Sequence, residues 1–220
     1  MVIASLGRWP FDLTDEALAG IEAIELRLEL MGFSLSDLPD VVGQIVPRVP
    51  RIIAACRPGQ RSEPDRVALL VEAVRLGVWA VDVEIDAPAA SRSAVVSAAR
   101  SRGCTVIVSF HDHEGTPPRR ALQRIIRRSL DAGADLIKIA CRVRALADNA
   151  TLLGLLDDQS APGRIAVLGM GPLGRISRVV APLIGSPLAY VAIAPGLETA
   201  DGQMTREDLQ SAWTALGDRP

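Results

Sequence analysis

The residue with the clearest chemical potential is Lys138, which lies within the run DLIKIACR at residues 135–142. Its neighbours are the apolar residues expected of a strand that is covered on both faces. An unpaired buried ammonium is costly, so this side chain either reaches solvent past its neighbours or has a chemical task. A lysine amine in an apolar site can attack a carbonyl carbon and form an imine.

Other polar residues stand near the ends of further apolar runs. Glu25 and Arg27 are two residues apart, as are Asp82 and Glu84, so each pair lies on one face of its strand. The remaining candidates are Arg57 after RIIAAC, His111 in SFHDHEGTP and Arg178 in GMGPLGRISR. Singly, each fits an ordinary ion pair or a solvated side chain. Together, a buried lysine, a histidine and several arginines indicate a site for an anionic carbonyl compound.

The elements that must position these residues are eight short apolar runs separated by segments with helical spacing. The runs are VIASL (2–6), AIELRLE (23–29), RIIAACR (51–57), AVDVEI (80–85), TVIVSFH (105–111), LIKIAC (136–141), RIAVLGM (164–170) and LAYVAIA (188–194). Two of the helices are predicted at 62–77 and 116–133, the second capped by Thr116 and ended by Gly133. Strand and helix therefore alternate, which predicts a parallel sheet.

Eight such units in 220 residues predict an α/β protein, with residues 1–220 forming one closed (β/α)8 TIM barrel domain. A doubly wound open sheet remains the alternative, because the number of strands does not prove closure. In a barrel, the functional groups stand where strands end and βα loops begin. The polar residues described above occupy those positions.

Composition and charge exclude several classes of partner. The net charge of −2 comes from 24 basic and 26 acidic residues without a basic tract, so no nucleic acid is expected. No apolar run approaches the roughly 20 residues of a membrane helix, and the start does not resemble a signal peptide, which favours a cytoplasmic protein without a membrane partner. The three cysteines lack metal-ligand spacing and are expected to be reduced core thiols.

Motifs along the whole chain occur in the order found in one known family. SFHDHEGTP is similar to a segment S-x-H-D-F-x-x-T-P, and Lys138 follows His111 at the spacing of that family's Schiff-base lysine. IELR, ACRPG, VDVE and GMGPLGRISR…IGSPLAY are similar to its E-x-R, its strand-three arginine, its D-x-E and its M-G-x-x-G-x-x-S-R…G-S-x-x-T-Y stretch. The chain thus resembles the type I 3-dehydroquinate dehydratases.

The resemblance implies a (β/α)8 barrel, usually a homodimer, that converts 3-dehydroquinate to 3-dehydroshikimate and water in the shikimate pathway without cofactor or metal. Lys138 would form an imine with the C3 carbonyl, and His111 would move a proton from C2 to the leaving C1 hydroxyl. Arg178 is the candidate for binding the substrate carboxylate. The residues expected to hold the ring hydroxyls and orient the imidazole are Glu25, Arg27 and Arg57.

The charge of the amine is a separate expectation. An amine must be neutral to attack a ketone. Burial in a strand, together with nearby Arg27, Arg57 or Arg178, is expected to favour the uncharged form of Lys138.

The loop after strand eight offers two ways to match the family's S-A-P-G-Q, whose serine and glutamine close over the substrate. IAPGLE keeps A-P-G but would place Ile193 and Leu197 where polar side chains are needed. TADGQMTREDL supplies Thr199 and Gln203 instead, and Thr205 then caps the final helix. We therefore predict that Thr199 and Gln203 are the substrate-binding residues of this loop.

Two departures from the family pattern occur near the predicted site. The family has E-G-G in the loop after its strand-three arginine, whereas RPGQRSEPDR lacks this motif. Glu63, the glutamate of this segment, instead fits the start of a helix. His113 replaces the phenylalanine of H-D-F and is interpreted as a solvated loop histidine.

Other functions fit parts of the pattern. GMGPLG satisfies G-x-G-x-x-G, but it opens the seventh unit and contains proline, so tight-turn glycines explain it better than nucleotide binding. A class I aldolase or related imine-forming lyase would need a phosphate cradle after strands seven and eight, or a different acid and base. A non-catalytic barrel that binds metabolites is the third hypothesis.

Overall fold

The fold is known from a computed structural model that describes residues 1–9, 12–49, 51–59 and 61–217. All eight predicted strands form; five are one to three residues shorter than the apolar runs, two are one residue longer, and one has the same length. They are Val2–Leu6 (β1), Ala23–Arg27 (β2), Ile52–Ala55 (β3), Ala80–Glu84 (β4), Thr105–Asp112 (β5), Leu136–Arg142 (β6), Ile165–Met170 (β7) and Ala189–Ala192 (β8). A two-residue strand that was not predicted, Met204–Thr205 (β9), pairs with β8.

Helices separate most of these strands. They are Asp15–Leu18 (α1), Leu28–Met31 (α2), Leu38–Ile45 (α3), Glu63–Arg75 (α4), Ala89–Arg102 (α5), Arg119–Asp131 (α6), Leu146–Leu153 (α7), Arg175–Leu183 (α8) and Arg206–Ala215 (α9). Single 3₁₀ turns occupy Gly154–Asp157 and Pro172–Gly174. Within the described ranges, no helix is both long and apolar enough to cross a membrane.

The strands form one parallel sheet in the order β7-β6-β5-β4-β3-β2-β1-β8-β9. Seven strands follow one another in chain order, and β8 returns to β1. A doubly wound sheet would instead reverse its order after the first few strands. No backbone pairing joins β7 to β8 in the described part of the chain, so the observed architecture is a curled parallel sheet.

The curl brings distant strands together. Lys138 on β6 contacts Glu25 on β2, four strands away, with 2.9 Å between Nζ and Oε1. Neighbouring strands lie about 4.8 Å apart, so these two strands would be roughly 19 Å apart in a flat sheet. Side chains on the inner face of the curled sheet therefore meet across a shared interior.

The apolar core has two layers, because alternate residues of each strand point to opposite faces. The larger cluster lies between the sheet and the helices and includes Ala4, Leu26 and Ile126. The smaller cluster fills the interior of the curl. Its buried members are Ile3, Ala23, Ile53, Ala80, Ile107, Ala140, Ala166, Leu168, Met170, Leu188 and Tyr190.

Two helix caps, at Thr116 and Thr205, were predicted from the sequence. The α6 helix begins at Arg119 after Pro118, so the predicted cap at Thr116 is wrong. The Thr116 hydroxyl instead donates to the carbonyl of Arg142 at 2.9 Å, which ties the loop after β5 to the end of β6. Thr205 does cap α9, since its Oγ1 accepts from the backbone N–H of Asp208.

All three cysteines are buried and free, as predicted. Cys56 follows β3, Cys104 precedes β5, and Cys141 lies within β6. Burial raises the pKa of the Cys56 and Cys104 thiols to about 11 and that of Cys141 to about 12. The thiols are therefore poor nucleophiles at neutral pH.

Candidate active site

A cavity of about 730 Å³ lies at the carboxyl ends of the strands. This is the edge at which the polar residues of a parallel sheet converge. The structure brings together all eight residues predicted for the site. They are Glu25, Arg27, Arg57, His111, Lys138, Arg178, Thr199 and Gln203.

Lys138 is the only lysine in the 220-residue sequence. Its side chain is 6% exposed, and its nitrogen donates to Glu25 Oε1 at 2.9 Å and to Asp82 Oδ2 at 3.2 Å. The nitrogen also lies 3.9 Å from the ring centroid of Tyr190. Arginines were expected beside the amine, but both of its hydrogen-bond partners are carboxylates. The nitrogen is thus held in ion pairs with both carboxylates.

The two carboxylates remain ionised despite their burial. Burial opposes the charge of Glu25, but Lys138 and Arg27 outweigh this effect and lower its pKa. Ser5 also donates to Glu25 Oε2 at 2.8 Å. Burial likewise opposes the charge of Asp82, whose pKa is held far below its ordinary value by the cations around it. Both side chains therefore stay anionic at neutral pH.

His111 is held through one ring nitrogen. Its Nδ1 lies 2.9 Å from Glu84 Oε1 and 3.2 Å from Oε2. Burial and the charge of Arg57 lower the pKa of His111, and they outweigh the opposing effect of Glu84. A neutral imidazole that donates Nδ1–H to a carboxylate leaves Nε2 free to accept a proton.

Glu84 was noted in the sequence but was not included in the predicted site. Its signal was the D-x-E spacing on β4, which puts its side chain on the same face as Asp82. The positive charge of Arg57 and the bond to His111 lower the pKa of Glu84 to about 2, although burial acts in the opposite direction. Glu84 is therefore anionic and able to orient His111.

Arg57 connects the environments of the lysine and the histidine. Its Nη2 donates to Asp82 Oδ2 and its Nη1 to Glu84 Oε1, each at 2.6 Å. Nη1 also lies 2.6 Å from Ser109 Oγ. The guanidinium is buried, but the carboxylates raise its pKa well above the ordinary value. One permanent cation thus fixes the carboxylates that contact Lys138 and His111.

Arg178 has a single side-chain hydrogen bond within the described part of the chain. Its Nε donates to the carbonyl of Gly169 at 2.7 Å, and its terminal nitrogens have no hydrogen bond to the described residues. Burial lowers the pKa of Arg178 to about 10, so it remains charged at neutral pH. A buried guanidinium with free terminal N–H groups is suited to a carboxylate ligand.

The glycines of GMGPLG have a packing role. A Cβ on Gly174 would overlap the backbone of Gly169, so only glycine permits this close approach. The close contact brings the start of α8, and with it Arg178, against the end of β7. This explains the motif without a nucleotide.

Thr199 and Gln203 lie together in the loop between β8 and β9. Gln203 Oε1 accepts from the Thr199 backbone N–H at 2.7 Å and from its hydroxyl at 3.2 Å. Arg27 donates to the Thr199 carbonyl at 3.1 Å. Ile193 is buried in the core and Leu197 packs against it, and neither side chain lines the cavity.

The sequence matches the type I 3-dehydroquinase family over residues 12–220. The chain belongs to this family. It is 34% identical over 226 residues to the 3-dehydroquinate dehydratase of Methanothrix thermoacetophila, with 99% of this chain and 92% of the relative covered. It is 32% identical over 228 residues to that of Methanosarcina mazei, with 98% and 94% covered.

A solved structure supports the same architecture. The type I 3-dehydroquinate dehydratase of Clostridium difficile superposes with a TM-score of 0.85, covering 98% of this chain and 91% of that one. The two sequences are 23% identical, so this comparison shows a shared fold.

Two positions depart from the pattern expected of a type I 3-dehydroquinase. Glu63 begins α4, as predicted, but it also lines the cavity, where its carboxylate pairs with Arg66. His113 lines the cavity too, with its ring stacked on that of His111 at 6.3 Å between centroids. Within the described ranges, no group of three or more His, Cys, Asp and Glu side chains is arranged to hold a metal ion.

Proposed function

We propose that the protein dehydrates 3-dehydroquinate to 3-dehydroshikimate through an imine on Lys138. Membership of the type I 3-dehydroquinase family supports the reaction. The observation that carries the assignment is the single lysine of the chain, buried in the cavity that also contains a neutral histidine and a free guanidinium. An aldolase or a non-catalytic barrel is not favoured, since the named relatives are 3-dehydroquinate dehydratases.

The first step joins Lys138 to the C3 carbonyl carbon. The ammonium releases a proton, for which Glu25 at 2.9 Å is the proposed acceptor, and the free amine then adds to the carbonyl. The carbonyl oxygen takes up two protons and leaves as water. An ammonium and a ketone thus become an iminium and water, with no change in total charge.

The second step removes a proton from C2. The iminium withdraws electrons from the neighbouring carbon, and neutral His111 takes the proton on its free ring nitrogen. The C–H electron pair forms an enamine and neutralises the nitrogen. The enamine then expels the C1 hydroxyl, which leaves as water with the proton carried by His111. Hydrolysis of the new iminium releases 3-dehydroshikimate and restores the lysine.

The other residues of the site are proposed to bind the substrate and to hold the reacting groups. Arg178 binds the substrate carboxylate through its free terminal N–H groups. Arg27 and Glu25 hold ring hydroxyls, and Thr199 and Gln203 close over them. Arg57 acts largely through the carboxylate of Glu84, which orients His111.

The test is incubation of the protein with 3-dehydroquinate while the enone absorbance of 3-dehydroshikimate is followed. A rise in absorbance that depends on the amount of protein is expected. A flat trace with folded protein would exclude the proposed function.

The role of Glu84 leads to a pH prediction. His111 acts as a base only when neutral, so activity is present above its pKa and is lost as the pH falls through it. Because that pKa lies below 6.5, the acid limb of kcat/KM should also lie below pH 6.5. Glu84→Gln removes a charge that raises the pKa, so the limb should move to still lower pH. The loss of orientation should reduce kcat by roughly tenfold or more.

The matched control is Glu72→Gln, since Glu72 pairs with Arg75 on the surface of α4. Its pH profile should coincide with that of the wild type. A Glu84→Gln profile whose acid limb stays in place or moves upward would contradict the proposed contact.

The loop between β8 and β9, which contains Thr199 and Gln203, gives a second prediction. Gln203→Ala removes a buried amide that can bond a polyhydroxylated substrate, so kcat/KM should fall by about tenfold or more. Leu197→Ala should mainly affect packing of the loop. Steady-state kinetics on both variants decides the matter. An unchanged Gln203→Ala enzyme beside a strongly impaired Leu197→Ala enzyme would favour the IAPGLE match and a less polar substrate.

We also propose that the curled sheet closes as a (β/α)8 barrel and that residues 1–220 form one domain. The consecutive strand order and the contacts from β6 across to β2 support closure. A buried cluster with members from Ala4 to Trp213 supports a single domain.

The oligomeric state and the cellular location of the protein are proposed from the family resemblance alone. A cytoplasmic homodimer is the form that the resemblance implies. Sedimentation equilibrium should then give twice the chain mass of 23.4 kDa. A monomer across the concentration range would contradict the dimer.

A further inference from the structure

Tyr190 on β8 is a buried member of the cavity with no role in the steps described above. Its ring faces Lys138, whose nitrogen lies 3.9 Å from the ring centroid. Its hydroxyl is buried and has no hydrogen-bond partner among the described residues. A tyrosine whose polar atom is unpaired while its ring contacts a cation is unusual, because buried hydroxyls normally find a partner.

The hydroxyl is not suited to proton transfer. Burial raises the pKa of Tyr190 well above its ordinary value, and the negative charges of Glu25 and Asp82 raise it further. The phenol is therefore neutral at neutral pH. The part of Tyr190 that contacts Lys138 is the face of its ring.

The nitrogen of Lys138 is enclosed by groups from three strands. Glu25 on β2 and Asp82 on β4 accept its hydrogen bonds, and Tyr190 on β8 presents the face of its ring. An aromatic face attracts a cation through its quadrupole, and the attraction is stronger when the cation is removed from water. All three contacts favour a positive charge on the nitrogen.

We propose that Tyr190 is a positioning residue whose ring holds the cationic nitrogen of Lys138. Before imine formation that cation is the ammonium. Resting on the proposed function, the same face then holds the iminium, because imine formation leaves the charge on the nitrogen unchanged. The ring thereby sets how readily the lysine becomes a free amine.

The proposal requires that the effect of the ring be separated from those of the other charged groups near the nitrogen. These groups are Glu25, Asp82, Arg27, Arg57, His111 and Arg178. Substituting any of them would change several ion pairs at once. Fluorination of an aromatic ring weakens its quadrupole while nearly preserving its shape, so it leaves those pairs in place.

The experiment uses Tyr190→Phe as the reference, followed by variants with mono-, di- and trifluorinated phenylalanine at the same position. Because the chain contains a single lysine, ¹³C-lysine labelling gives one ε-carbon signal that reports the charge of the amine. A weaker attraction lets the ammonium lose its proton at lower pH. The titration midpoint should therefore fall stepwise, by an overall roughly 3- to 30-fold change in proton affinity. Tyr190→Leu should lie at or beyond the end of the series.

The control is the same fluorine series at Phe33, a buried ring of the apolar core that does not line the cavity. It should leave the midpoint unchanged. A second readout is the shift of the lysine ε-methylene protons, which a ring face should move upfield in the wild type and which Tyr190→Leu should return to the ordinary position. A midpoint unaffected by fluorine at position 190, or ordinary proton shifts in the wild type, would overturn the proposal.

These measurements distinguish failure of the proposed function from failure of the proposed role of Tyr190. A wild-type protein that fails to dehydrate 3-dehydroquinate would remove the proposed function, yet the titration would still test the ammonium contact. A wild-type protein that dehydrates its substrate but shows no fluorine dependence would remove the role of Tyr190 alone.

Discussion

Lys138→Ala is expected to lower the rate of 3-dehydroquinate dehydration by roughly 10⁶-fold, the scale on which removal of a covalent nucleophile acts. The variant lacks the amine that forms the iminium, and the sequence contains no other lysine to replace it. The measurement is the enone absorbance of the product at high enzyme concentration. A loss of less than about tenfold would show that the reaction does not depend on an imine at this position.

The intermediate itself is expected to be trapped. Borohydride added during turnover should reduce the iminium, inactivate the wild-type enzyme and add the ligand mass to the peptide containing Lys138. The peptides without Lys138 serve as internal controls in the same mass spectrum. An adduct on those peptides alone, or none at all, would remove the proposed mechanism.

Lys138→Arg is the matched variant for stability. Lys138→Ala leaves Glu25 and Asp82 without their shared cation, which is expected to reduce the free energy of unfolding by about 3–5 kcal/mol. Arginine restores a positive charge but cannot form an imine with a ketone. It should therefore melt closer to the wild type while remaining inactive, which separates loss of chemistry from loss of fold.

His111→Ala is expected to cause the second large loss. General acid–base catalysis contributes about 10²–10⁴-fold, and His111 is proposed to act both when C2 loses its proton and when the C1 hydroxyl leaves, so the fall should exceed that range. Imine formation does not require the imidazole in this mechanism. Borohydride should therefore still trap substrate on Lys138 in this variant.

His113→Ala is the neighbouring control. The ring of His113 stacks on that of His111 but has no hydrogen bond to the reacting groups among the described residues. Its removal should change kcat only slightly. If His113→Ala were the inactive variant and His111→Ala the active one, the assignment of the base to this loop would be wrong.

The strands were predictable because each is a short apolar run with its own local signal. Their parallel pairing followed from the alternation of strand and helix, whereas the consecutive strand order followed only from the barrel prediction. Closure was not predictable in the same way, since it depends on pairing between β7 and β8, which local pattern does not specify. The Thr116 cap failed for a related reason: its hydroxyl bonds to the end of β6, a tertiary contact that outweighs the local preference.

The members of the site were predictable because they occupy equivalent ends of successive strands. The partners of Lys138 were not, because arginines and carboxylates stand at the same rim and only the curl decides which of them meet. Glu25 and Asp82 reach the amine from β2 and β4, across the interior. Tyr190 ends the IGSPLAY motif but was given no role, since it lies in an apolar run.

Chemical modification of the three buried thiols can report how the chain unfolds. With pKa values of about 11 to 12, about one thiol in 10⁴ or fewer is ionised at neutral pH, so a thiol reagent should react mainly after the surrounding structure opens. Cys56, Cys104 and Cys141 mark β3, β5 and β6. Equal modification rates would indicate that the sheet opens as one cooperative unit, whereas earlier modification of Cys141 would indicate that opening begins on the β7 side.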